Sequence, residues 1–75
     1  MNIHVIAKSA KQNPITEWDV RIVGSNEGEP LATIRKTDEG IFILEGFAEV
    51  KVGNSLNEVR DEAQFILDKM SVLIN

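Results

Sequence analysis

The side chains through which this chain could do chemistry are one histidine, four serines and twelve carboxylates; cysteine and tyrosine are absent. A lone imidazole, His4, cannot assemble a multi-histidine metal centre, and no carboxylate stands near it at a ligand-like spacing. As an acid–base group it would still need a nucleophile and an orienting carboxylate. Ser9, Ser25, Ser55 and Ser71 fall in polar connections or at helix ends, none within a G-x-S-x-G elbow. The carboxylates are dispersed. Glu27 and Glu29 lie on one glycine-containing connection, Asp38 and Glu39 on a tight turn, and Asp61, Glu62 and Asp68 on the polar side of a helix. Glycosidic or two-metal chemistry needs carboxyl groups that converge in a cleft and shift one another's pKa values. No EF-hand spacing occurs, and Gly24-Ser25-Asn26-Glu27-Gly28 lacks the lysine and following helix of a phosphate-binding loop. Without a thiolate there is no disulfide framework and no thiolate-held zinc or iron–sulfur cluster. The expectation is a protein without catalytic activity, cofactor, metal or small-molecule ligand.

The elements that must position these groups follow from periodicity. Asn2 to Ala7 is β-prone, with Ile3, Val5 and Ala7 on one face and His4 and Ile6 on the other. The polar stretch Lys8 to Pro14 reads as a loop. In Glu17-Trp18-Asp19-Val20-Arg21-Ile22-Val23 apolar residues alternate with charged ones, which predicts a strand with one inward face. Gly24 to Pro30 is an acidic connection of turn residues. Leu31 to Lys36 and Ile41 to Glu45 flank Asp38-Glu39-Gly40, a three-residue loop with glycine where a type I turn followed by a G1 bulge needs a left-handed residue. That loop sets Lys36 opposite Phe42, Ile34 opposite Leu44 and Ala32 opposite Gly46. A two-residue loop would scatter the apolar residues between faces. Gly46 predicts a bend. The alternation in Phe47-Ala48-Glu49-Val50-Lys51-Val52 predicts a further short strand, with Phe47, Glu49 and Lys51 on one side; an extended linker crossing the sheet edge is the rival reading.

Ser55-Leu56-Asn57-Glu58 matches the S-x-x-E capping box, in which serine accepts from the Glu58 amide and the glutamate reaches back to the cap amide. Leu56, Val59, Ala63, Ile66, Leu67, Met70 and Ile74 then recur every three or four residues as one apolar stripe. Lys69 is expected near the negative end of the helix dipole, and fraying is expected near Ser71 to Leu73. The fold class is α+β: an antiparallel meander of three to five strands, two-layered with one C-terminal amphipathic helix. Its core face is Trp18, Val20, Ile22, Ala32, Ile34, Phe42 and Leu44.

Seventy-five residues, 43% of them hydrophobic, allow a single domain, 1–75, and only a thin core. Met1 to Lys8 has no basic n-region, Asn2 stands where myristoylation needs glycine, and no stretch nears the roughly 20 apolar residues of a membrane span. A cytoplasmic protein without membrane contact is expected.

Apolar residues outside the core carry the functional expectation. Phe65 and Val72 lie opposite the helix stripe beside Lys69, and Ile43 stands among charges on the outer sheet face, with Phe47 a further candidate. These five residues form a candidate interaction surface for a homodimer or for a larger protein that the chain would serve as adaptor or inhibitor. Two alternatives use charge. The outer sheet face carries Arg21 and Arg35, joined by Lys51. The strand order and hairpin lengths resemble, in topology alone, the sheet domains by which some phage integrases and plant transcription factors enter the major groove. Asp19, Glu17, Glu45 and Glu49 share or border that surface, and the net charge is −4, which disfavours phosphate contact. Conversely, the acidic Glu27, Glu29, Asp38 and Glu39 could mimic nucleic acid and block a DNA-handling enzyme, as antirestriction inhibitors do.

Overall fold

The computed structural model describes residues 2–25 and 27–74, with side chains described as far as residue 70. Five strands, β1 (Ile3–Ala7), β2 (Glu17–Ile22), β3 (Ala32–Lys36), β4 (Phe42–Glu45) and β5 (Lys51–Gly53), precede one helix, α1 (Leu56–Ile74). The strands form a single antiparallel sheet in chain order. One face of the sheet is covered by α1, which packs against β5, β4 and β1. This is the two-layer α+β meander that the alternation predicts.

The β3–β4 hairpin has the register set by its turn. Gly40 adopts φ +84°, its amide donates to the Thr37 carbonyl, and the Thr37 amide donates to the Ile41 carbonyl. Lys36 therefore opposes Phe42, and Ile34 opposes Leu44. Because side chains alternate along a strand, this register puts Ile34 and Leu44 on the face that also receives Val20, Ala32 and Ile3. All five are buried, and Val59, Ala63 and Leu67 of α1 close over them. Trp18 and Phe42 flank this core half-buried, with ring centroids 5.7 Å apart.

Ser55 Oγ accepts from the Glu58 amide at 3.1 Å, so the helix starts at the expected cap. The Glu58 carboxylate reaches one residue further back than a standard box, accepting from the Asn54 amide at 3.0 Å. The Gln64 side chain also accepts from the Ile3 amide, tying α1 to the edge of β1. The helix runs to Ile74, one residue beyond the stretch where its end is expected, and Lys69 lies toward that end though short of the last turn. One expectation for α1 is corrected. Met70 leaves the core stripe: Leu67 is the last buried residue described on α1, and Met70 is 41% exposed.

The segment after β4 is the main departure from the predicted strands. Gly46 bends the chain at φ +120°, residues 46–49 continue as bends, and only Lys51–Gly53 pairs with β4. The alternation of Phe47 to Val52 looks strand-like, but those residues must first reverse the chain before Lys51 can lie opposite Leu44. Gly46 permits the reversal for two reasons. Its positive φ suits glycine, and a Cβ there would stand 2.8 Å from the Ala32 Cα, a backbone atom that cannot step aside. Gly24 has a similar φ of +92° but open space around it. Replacing Gly46 by alanine should therefore lower the urea midpoint at unchanged m, costing about 1–3 kcal/mol, and clearly more than Gly24→Ala, which carries conformational strain alone. Equal losses in the two variants would show that the approach to Ala32 is not the constraint.

Candidate interaction surface

The register of β5 decides which candidate residues meet. Lys51 opposes Leu44, a core residue, so its side chain leaves the sheet on the helix side, whereas Val52 opposes Ile43 on the outer face. Lys51 is thus removed from the outer surface assigned to it with Arg21 and Arg35. The candidate interaction set divides in the same way. Phe47 packs on the core cluster from the β4–β5 connection and lies on the helix side, while Ile43 stays on the outer face. Val72 lies outside the residues whose side chains are described.

On the helix side the chain forms an open groove of about 230 Å³. One wall is the β4–β5 connection with Phe47, Ala48, Glu49 and Lys51, and the other is α1 with Glu62, Phe65, Ile66, Lys69 and Met70. Phe65 sits about 160° around α1 from Ala63, which explains why it is 59% exposed although the helix is well packed. The Lys69 ammonium lies over the Phe65 ring, 5.5 Å from its centroid, and its stem extends the apolar wall. Two of the exposed large apolar residues, Phe65 and Met70, line this groove.

The groove's charges alternate in sign. Lys51 Nζ and a Glu49 carboxylate oxygen are 2.9 Å apart. Hydrogen bonding and attraction to Lys51 hold the Glu49 carboxyl below its ordinary value, and the same contact raises Lys51. Lys69 acts on Glu49 and Glu62 acts on Lys51 in the same senses more weakly. Two acids and two lysines thus ring an apolar floor with no net charge.

The outer sheet face is different. Arg21 donates to the Gly28 carbonyl of the acidic connection, Arg35 pairs with Glu45 at 3.0 Å, and Lys8 pairs with Glu17 at 3.5 Å. Glu27, Glu29, Asp38 and Glu39 are exposed on two separate connections. Among the described residues no group of three or more histidine, cysteine or carboxylate side chains could hold a metal ion, and no helix is long and apolar enough to cross a membrane. His4 is half-buried beside Arg21 with its Nε2 unpartnered. Compared with protein-family models, curated proteins and solved structures, the chain matches none.

The groove could be read from sequence only in part. Phe65 and Lys69 follow from helical angle, but joining them to Phe47 requires the Gly46 reversal, and Met70 was expected in the core stripe. The exposure of Phe65 has a measurable consequence. Leu67→Ala should cost about 2–5 kcal/mol in a urea melt, while Phe65→Ala should cost under about 1 kcal/mol in the folded monomer. Comparable losses would make Phe65 a core residue.

Proposed function

We propose that this chain is a non-catalytic protein-interaction domain, a homodimer or an adaptor or inhibitor of a larger protein, whose working surface is the groove between α1 and the β4–β5 connection. The observation that carries this reading is the position of Phe65: an aromatic ring more than half exposed, beside Phe47, Ile66 and Met70, on the flank of the one helix that completes the core. An aromatic anchor in an apolar groove with a charged rim is the composition of a protein-docking site. On the outer face Arg35 is paired with the Glu45 carboxylate, which offsets its charge, and Arg21 donates to the Gly28 carbonyl while keeping its own charge.

A photo-crosslinking amino acid at position 65, in chain expressed in the cell that encodes it, tests the reading. A discrete adduct is expected at position 65 and not at Lys11, which lies on the exposed β1–β2 connection. The mass of the adduct separates a second copy from a larger protein. Absence of any adduct at 65 above that at 11 would overturn the reading.

A further inference from the structure

We infer that the occupant of the groove is a second copy of this chain, docked with the two α1 helices antiparallel about a twofold axis at Phe65–Ile66. The inference rests on the groove being a docking surface and names what docks there. The pattern of charge along α1 carries it. Glu62 lies three residues before Phe65, and Lys69 lies three residues after Ile66. A twofold axis between Phe65 and Ile66 therefore sets Glu62 of each copy against Lys69 of the other, and Phe65 of each copy against Ile66 of the other. Glu62, Phe65, Ile66 and Lys69 span about 100° of the helix surface, so one helix face presents all four together. Both ends of the contact are then complementary at once, which is what an isologous interface requires of a single patch.

The rest of the rim agrees. Glu49 and Lys51 neutralise each other on the opposite wall. The groove therefore brings no net charge to the contact, although the whole chain carries −4. Two copies can approach there without like charges facing at the centre. A partner recognised by charge would call instead for a rim of one sign. The apolar floor of Phe47, Ile66 and Met70 supplies the surface to be buried, and Phe65 supplies the side chain that fills it.

Sedimentation equilibrium on the wild type, Glu62→Lys, Lys69→Glu and the double swap tests the geometry, with circular dichroism to check that each variant keeps its helix. The wild type should be a reversible dimer. Each single swap places like charges together twice by symmetry and should raise the dissociation constant about tenfold. The double swap should restore it to near the wild-type value. A chain that stays monomeric at millimolar concentration overturns the inference, as does a dimer indifferent to the single swaps or not restored by the double one. A monomer that still cross-links a larger protein through position 65 would lose the second copy and keep the docking surface. A monomer with no adduct there would lose both.

Discussion

A single helix must cover one face of a five-stranded sheet, and everything else in this fold follows from that constraint. The sheet presents Ile3, Val20, Ala32, Ile34 and Leu44 to one side, and α1 answers with Val59, Ala63 and Leu67. Those eight residues are the buried core among the described residues. A domain of this size sits near the lower limit at which one core suffices. The approach of α1 is fixed at its start by the Ser55 cap and along its flank by the Gln64 bond to the edge of β1. Ala63, the small residue at the centre of the stripe, is completely buried, and Leu67 ends the buried run. What the helix does not use for the core, chiefly Phe65 and Met70, remains on its flank.

That remainder is organised by the chain reversal at Gly46. Had Phe47 to Val52 continued as a strand, its side chains would have divided evenly between the two faces. The bend carries Phe47 onto the helix side and brings Glu49 and Lys51 up as the second wall of the groove. A positive φ and a 2.8 Å approach to Ala32 at one residue thus convert a strand-like sequence into a wall. The outer face, with its Arg35–Glu45 and Lys8–Glu17 pairs, is ordinary solvated sheet by comparison. Pairs of that kind contribute little to stability individually.

How much could be read in advance depended on whether the signal was local. Gly40 after Asp38-Glu39 defines a turn within five residues, so the β3–β4 register was legible in full. The Ser55 cap and the period of α1 as far as Leu67 were legible for the same reason. The position of β1 was not, because the nine residues 8–16 connect it to β2 and no short turn specifies the pairing. The conversion of Phe47 to Val50 from strand to connection follows from the bend at Gly46, which stands against Ala32 fourteen residues earlier in the chain, and alternation alone carries no trace of that contact. Lys51 was assigned to the wrong face through the same error. Met70 was misplaced because the periodicity of a stripe does not tell where the sheet beneath it ends. Phe65 was legible as exposed, but not as one wall of a groove.

In this account a thin core leaves an apolar flank that association with a second copy would cover. Association that favours the folded chain over the unfolded one makes apparent stability depend on concentration. The most direct measurement is the urea midpoint of the wild-type protein across a wide range of protein concentration. The account predicts a midpoint that rises steadily with concentration, and a midpoint independent of concentration would contradict it.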